Sequence, residues 1–251
     1  MIISDKHKYV FLETPHTGST AISKELRENY SGEEVLHKHA NYHEFLKVAS
    51  PEQKKYFVFA GLRNPLDEAT SVYSKFLFNH KGNYTNNKKE LDRGGWVTKR
   101  KVEIFKLVAS GGSFCQFLEK YYPRTYTSNI NINKRHVDHV IRFEDINKDF
   151  MEVLEKLNIK PLRDLPVVNK TKKEGNFKEY YDYECRGYAI KIFSPFMKEW
   201  GYELPKGWPN KKVRAWSLGV YSFNKIGRVA YSSHIKTGPL KKLTALRNIL
   251  E

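Results

Sequence analysis

A short apolar run, a polar loop and an amphipathic segment follow one another twice in the first third of the chain. The first unit has the run Lys8–Glu13 (KYVFLE) and the helical pattern Ser19–Tyr30; the second has Tyr56–Leu62 (YFVFAGL) and Leu66–Phe78. Apolar runs rich in β-branched and aromatic residues are typical of buried parallel strands. A chain built from such units is predicted to form an α/β fold with a central, mostly parallel sheet between two helical layers.

The rest of the chain continues the same alternation. Val102–Tyr122 has a helical pattern that Gly111-Gly112 should interrupt, and Val137–Phe143 reads as a third strand before the helical segment Asn147–Leu157. The polar segment Lys81–Arg93 is predicted to be a mobile loop. Three strands are therefore each followed by a helix.

Composition is that of a folded protein in water. The 251 residues include 40% apolar and 29% charged residues, enough for one substantial domain with its own core. No apolar stretch approaches the length of a membrane span, and the first residues lack the pattern of a signal peptide. Cys115 and Cys185 do not form a disulfide framework and are predicted to be plain thiols. We expect a cytoplasmic protein.

The positive charge is concentrated near the C-terminus. The chain has a formal net charge of +16, which predicts an anionic partner. Residues 209–251 contain nine Lys and Arg residues and one Glu, so they contribute +8. We therefore expect a catalytic domain at 1–208 and a basic, partly helical extension at 209–251. Within Pro239–Glu251 four leucines recur at helical spacing, and the favoured role of this stripe is docking on the domain. Binding to a second subunit and peripheral contact with an anionic membrane stay open.

The loop between the first strand and the first helix is suited to anions. It reads Thr14-Pro15-His16-Thr17-Gly18-Ser19-Thr20, and backbone N–H groups and hydroxyls at a helix N-terminus favour phosphate. The glycine spacing and lysine of a Walker A loop are missing, which disfavours a P-loop NTPase. The competing interpretation is that Ser19 or Thr20 only caps the helix.

A second anion-binding pair follows the second strand. Arg63 ends that strand, and Ser71 lies two helical turns further on, so a guanidinium and a hydroxyl are available to hold another phosphate. The alternative is that Arg63 pairs with Asp67 or Glu68. Ligands of open α/β sheets bind beyond the carboxyl ends of the strands, where both groups are expected.

Two segments, TPHTGST and LRNPLDEATSVYSKF, resemble known nucleotide-binding motifs. The first is similar to the 5′-phosphosulfate loop, and the second to the 3′-phosphate motif, of sulfotransferases that use 3′-phosphoadenosine 5′-phosphosulfate (PAPS), especially the carbohydrate sulfotransferases. Two further segments agree with that family. Its late strand and helix are similar to VIRFEDINKDFMEVLEKLNI, and its cofactor loop and closing helix are similar to NKTKKEGNFKEYYDYECRGYAIKIFSPFMKEWGYEL. The resemblance covers residues 8–204. It implies a P-loop-like fold and metal-independent in-line displacement at sulfur, with adenosine 3′,5′-bisphosphate as the leaving group.

The resemblance also implies roles for individual residues. The loop residues Thr17, Gly18, Ser19 and Thr20 would hold the 5′-phosphate. The 3′-phosphate would be held by Arg63 and Ser71, assisted by one or more of Lys170, Lys172 and Lys173. His16 stands where family members usually have a lysine, and a histidinium between phosphates should have a raised pKa. We expect His16 to contact the leaving group and act in catalysis; the alternative is that Lys24 or another lysine supplies the charge.

A histidine-rich segment offers a general base for the acceptor hydroxyl. It contains His37, His39 and His43, and its His-x-His spacing resembles the catalytic pair of uronyl 2-O-sulfotransferases. His39 is the first choice as base and His37 the second, with Glu44 and Glu13 as weaker candidates. A metal site is the competing interpretation of the cluster, but a clear fourth ligand is missing and no metal is expected.

The predicted function is therefore transfer of a sulfuryl group from PAPS to a hydroxyl of an acceptor, favoured to be a carbohydrate or glycolipid. A nucleotide- or nucleic-acid-binding protein without catalysis is the alternative, although nucleic acid is not the expected partner. A kinase is less favoured, because it needs a metal-binding acidic residue and a Walker lysine. The sequence leaves the oligomeric state open.

Overall fold

A computed structural model describes residues 1–90, 95–168, 175–209, 213 and 215–232 of the chain. These residues form an α/β structure that divides into two compact units. The first unit contains the described residues within 1–63, 127–169 and 222–251, and the second contains those within 64–126 and 170–221. Across the described ranges, no helix has both the length and the apolar character needed to cross a membrane.

The first unit contains a five-stranded mixed sheet. Its strands are β1 (Ile2–Ser4), β2 (Tyr9–Leu12), β3 (Glu33–Glu34), β4 (Phe57–Leu62) and β5 (His139–Arg142). Their order in the sheet is β3-β1-β2-β4-β5. The pairs β2–β4 and β4–β5 are parallel, whereas β1 is antiparallel to both of its neighbours. Four of the five strands therefore run in the same direction, which confirms a mostly parallel sheet.

Helices alternate with these strands and also make up most of the second unit. In chain order they are α1 (Ser19–Asn29), α2 (Tyr42–Phe45), α3 (Pro65–Leu77), α4 (Lys99–Ala109), α5 (Phe114–Tyr121), α6 (Asn129–Asn133), α7 (Ile146–Lys156), α8 (Tyr183–Trp200) and α9 (Ala215–Ala230).

The core of the first unit lies between one face of the sheet and two helices. Because side chains alternate along a strand, Tyr9, Phe11, Phe59 and Ile141 point to the same face, and all four are fully buried. Helices α1 and α7 cover that face with a stripe of apolar residues at helical spacing: Ile22, Leu26, Phe150, Val153 and Leu154. This packing fixes the start of α1 relative to the end of β2, where the candidate site lies.

The second unit is helical and has an aromatic core of its own. Tyr73 and Phe76 of α3 pack against Phe114 and Phe117 of α5. Phe193 and Phe196 of α8 pack against the ring of Tyr126. The buried Tyr126 hydroxyl donates to Glu68 Oε2 at 2.7 Å. Glu68 thus has a partner within its own unit, and the helix α3 that carries Ser71 is anchored there.

The predicted strands and helices are confirmed to within a few residues at each end. Helices α4 and α5 are separated at Gly111-Gly112, as expected, and Gly111 has a positive φ of 89°. The predicted loop Lys81–Arg93 contains two short 3-10 turns in its described part, His80–Gly82 and Asn87–Lys89. The predicted helix Pro239–Glu251 lies outside the described residues, and α9 is a helix within the range 209–251 that was predicted as an extension.

Candidate functional site

Three segments of the first unit meet at one edge of the sheet. Strands β2, β4 and β5 are parallel, so the residues that follow them emerge at the same edge. These residues are the loop Thr14–Thr20 after β2, Arg63 after β4 and Phe143 after β5. The structure thus brings the predicted phosphate loop and Arg63 together, at the edge of the sheet where ligands of α/β proteins bind.

The backbone of the loop has the shape of an anion-binding nest. His16 and Gly18 have positive φ angles of 64° and 73°, with Thr17 between them. Alternation of this kind turns successive N–H groups toward one point. Gly18 is also the N-cap of α1, so it offers no side chain to the first-turn N–H groups, and the first turn contains no acidic residue. The positive end of the helix dipole is therefore presented to an anion.

Close packing against β4 holds the loop in this conformation. The Thr17 hydroxyl donates to the carbonyl of Thr14 at 2.9 Å. A Cβ on Gly61 of β4 would lie 2.7 Å from Thr17 Cβ and would overlap its hydroxyl, so only glycine fits there. The Thr14 hydroxyl is buried and has no hydrogen-bond partner among the described residues. An unsatisfied buried donor beside an anion-binding loop is what a phosphate oxygen would satisfy.

Arg63 contacts the loop itself. Its Nη1 donates to the carbonyl of His16 at 3.0 Å, and its guanidinium carbon lies 4.0 Å from the centre of the Phe143 ring. The cation–π contact and the hydrogen bond together hold the left-handed conformation of His16. The other predicted partner, Ser71, is buried in α3 of the second unit. Lys170, Lys172 and Lys173 lie outside the described residues, so the 3′-phosphate site stays a prediction.

The structure places His39 directly beside the start of the loop. Its Nδ1 lies 2.6 Å from the carbonyl oxygen of Glu13, the residue before Thr14. A carbonyl oxygen only accepts hydrogen bonds, so Nδ1 carries the proton, and the neutral ring then has an unprotonated Nε2. Burial and, to a smaller extent, the neighbouring Lys38 ammonium lower the pKa of His39 below its ordinary value; the Glu13 carbonyl offsets part of this effect. The His39 imidazole is therefore mainly neutral at neutral pH.

Lys38 is a charged residue at the loop that the sequence analysis did not single out. Its Nζ donates to the Thr20 hydroxyl at 2.8 Å. Lys24 was considered above as a replacement for the family's loop lysine. Its Nζ instead lies 3.7 Å from Glu28 Oε1, one turn along α1. The only signal for Lys38 in the sequence was its position between His37 and His39.

The other candidate bases are engaged elsewhere. His37 is exposed, and its Nε2 lies 3.7 Å from Glu44 Oε1, while Glu44 completes a capping box at the start of α2. Glu13 is buried and bonded to the Met1 amino group and the Ser23 hydroxyl, each at 2.7 Å. Burial alone would raise the pKa of Glu13, but these two partners hold it below its ordinary value.

The histidine cluster does not assemble into one centre. His37, His39 and His43 face different partners, which are Glu44, the Glu13 carbonyl and the ring of His136. Over the part of the chain that the structure describes, no three His, Cys, Asp or Glu side chains are arranged to hold a metal ion. A shallow surface depression of about 800 Å³ lies along α7 and the segment after it, but no candidate residue lines it.

Comparisons with known proteins found no matching protein-family model, no matching curated protein and no matching solved structure.

Proposed function

We propose that the chain is a sulfotransferase with a P-loop-like fold that transfers a sulfuryl group from PAPS to a hydroxyl of a carbohydrate or glycolipid acceptor. The observation that carries the proposal is the hydrogen bond between His39 Nδ1 and the Glu13 carbonyl. It places a neutral imidazole, with Nε2 as its basic nitrogen, beside a loop shaped for phosphate. A protein that only binds nucleotides has no need of such a base.

The loop residues fit the 5′ end of the donor. The N–H groups of Gly18, Ser19 and Thr20 at the start of α1 would bind the 5′-phosphate, and the Thr14 hydroxyl would gain the partner that it lacks. Thr17 is buried against Gly61 and would contribute mainly through its backbone. Arg63 and Ser71 remain the proposed 3′-phosphate ligands, together with Lys170, Lys172 or Lys173, and Arg63 additionally holds the loop through His16.

The proposed chemistry assigns each proton and bond to a residue. His39 Nε2 accepts the proton of the acceptor hydroxyl while that oxygen forms a bond to sulfur. The bond from sulfur to the bridging 5′-phosphate oxygen breaks, and the electron pair leaves with adenosine 3′,5′-bisphosphate. Lys38, together with His16 when it is protonated, would offset the negative charge developing on that oxygen. Because Lys38 is a fixed charge, it is the better replacement for the loop lysine that the family usually has.

The test is release of adenosine 3′,5′-bisphosphate from PAPS with a panel of carbohydrate, glycolipid and small-alcohol acceptors and no added metal. His39→Asn should lower acceptor-dependent release by about 10²-fold or more, as expected for loss of a general base. His7→Asn is the matched control, because His7 also has a pKa lowered by burial but precedes β2, at the opposite edge of the sheet. It should retain full activity.

Three other outcomes would each contradict the proposal. Equal activity of His39→Asn and the parent chain would remove His39 from the mechanism. Phosphoryl transfer from ATP with magnesium would identify a kinase instead. Binding of the donor without turnover of any acceptor class would favour the non-catalytic alternative.

A further inference from the structure

Helix α9 exposes three large apolar side chains on one face. Trp216, Phe223 and Ile226 are 79%, 78% and 66% exposed. At about 100° per residue, these positions fall within an arc of roughly 80° around the helix axis. Gly219 lies on the same face, with no atom near the position that its Cβ would take. The three side chains therefore form one continuous exposed strip, which we call the α9 strip.

The other side of α9 is held by the protein. Ser217 and Tyr221 are buried, and within the second unit the Tyr221 hydroxyl donates to Glu199. Within the first unit, Arg228 donates to the Thr127 carbonyl and to Asn129 Oδ1, each at 2.8 Å. Ser217, Tyr221 and Arg228 thus lie on one side of the helix, and the α9 strip lies on the other side.

The charge of the C-terminal part of the sequence indicates the chemistry of a partner for the α9 strip. Residues 209–251, which include α9, carry nine Lys and Arg residues and one Glu. A second copy of this chain would bring the same positive charge, and the chain's own basic C-terminal segment would do so too, so both are disfavoured as occupants of the strip. Nucleic acid would match the charge but not an exposed strip of Trp, Phe and Ile. An anionic lipid surface matches both properties, because apolar and aromatic side chains enter the interface while Lys and Arg attract the headgroups.

We propose that α9 is an interfacial helix that lies on an anionic membrane surface and inserts Trp216, Phe223 and Ile226 below the headgroups. This inference concerns a surface separate from the sulfotransferase site and does not depend on that function. In combination with it, the acceptor would be met at a membrane, as a lipid-linked hydroxyl compound.

The test is co-flotation of the full chain with vesicles, without any nucleotide. Vesicles of phosphatidylcholine and phosphatidylglycerol at about 7:3 should bind the chain at least tenfold more strongly than pure phosphatidylcholine vesicles, and salt should weaken this binding. The triple variant Trp216→Ser/Phe223→Ser/Ile226→Ser should lose at least tenfold in binding. The fluorescence emission of Trp216 is obtained by subtracting the spectrum of Trp216→Phe from that of the parent chain. This emission should shift to the blue on the anionic vesicles, as expected for an indole leaving water.

The matched control replaces three other exposed apolar side chains. Val48, Leu162 and Val167 are 58%, 64% and 85% exposed, and their triple replacement by Ser removes exposed apolar surface elsewhere without touching α9. This control should bind vesicles like the parent chain. The proposal fails if the α9 variant binds as well as the control, or if both vesicle types bind the parent chain equally. It also fails if the parent chain binds neither vesicle and light scattering shows that the α9 variant converts a dimer into a monomer.

Discussion

At the scale of single residues, the proposed chemistry depends on the protonation state of His39. Because burial lowers the pKa of His39, the imidazole stays neutral to a lower pH than an ordinary histidine with a pKa near 6.5. The group must be neutral to accept a proton, so kcat/KM for the acceptor should fall on acidification with an apparent pKa below 6.5. Initial rates between about pH 5 and pH 8 measure this profile. An acidic limb centred above pH 7 would exclude His39 as the base.

Lys38 is the second residue on which the proposed chemistry depends. Lys38→Met removes the ammonium that contacts the Thr20 hydroxyl, and we expect turnover to fall at least tenfold, or about 1.4 kcal/mol of barrier. Because the Lys38 side chain is exposed, the midpoint of thermal unfolding should stay the same. Lys6→Met, another exposed lysine in the same unit, should leave turnover unchanged. If both variants retain full turnover, His16 has to supply the charge alone.

At the scale of elements, strand β4 determines the shape of the loop through Gly61. Gly61→Ala would force Thr17 to move, and the overpacking should cost about 1–3 kcal/mol of unfolding free energy. Binding of adenosine 3′,5′-bisphosphate should weaken as well, because Thr17 carries the nest. Chemical denaturation and calorimetry measure the two effects.

Gly187→Ala provides the matched control for this substitution. Gly187 lies inside α8, and nothing stands near the position of the new Cβ. Alanine should therefore stabilise the helix by about 0.5–1 kcal/mol and leave nucleotide binding intact. Equal effects of the two substitutions would mean that the contact between Gly61 and Thr17 does not shape the loop.

The elements that the sequence predicted are those with a strong local pattern. Strands β2 and β4 are continuous apolar runs, and the glycine pair between α4 and α5 marks a helix break in any context. Strand β1 was not predicted, because three residues are too few for a periodic pattern, and its pairing with β2 is a tertiary contact.

The site was predictable by residue type but not by geometry. The loop and His39 were identified through their positions and the family resemblance. The tautomer of His39 follows from its contact with the Glu13 carbonyl, and the proposed role of Lys38 follows from its contact with the Thr20 hydroxyl. Both partners lie far from these residues along the chain, so no local sequence pattern reveals the contacts. The same holds for Gly61, which reads as an ordinary strand residue until Thr17 is seen packed against it.

At the scale of the whole molecule, burial lowers the pKa of five histidines, which are His7, His39, His80, His136 and His139. The unfolded chain therefore binds protons more readily than the folded chain once the pH falls below about 6.5. We expect the free energy of unfolding to decrease from pH 7.5 to pH 5.5, as measured by denaturant titration at each pH. A denaturation midpoint that stays constant or rises over this range would contradict the burial of these rings.

The most direct test of the central claim is calorimetric titration of the full chain with adenosine 3′,5′-bisphosphate in the absence of metal. If the loop binds the 5′-phosphate and Arg63 helps to bind the 3′-phosphate, as proposed, this nucleotide should bind more tightly than ADP or ATP, and Arg63→Ala should weaken its binding. Binding of ATP that is tighter and requires magnesium, or no binding of adenosine 3′,5′-bisphosphate at all, would contradict the assignment of this chain as a sulfotransferase.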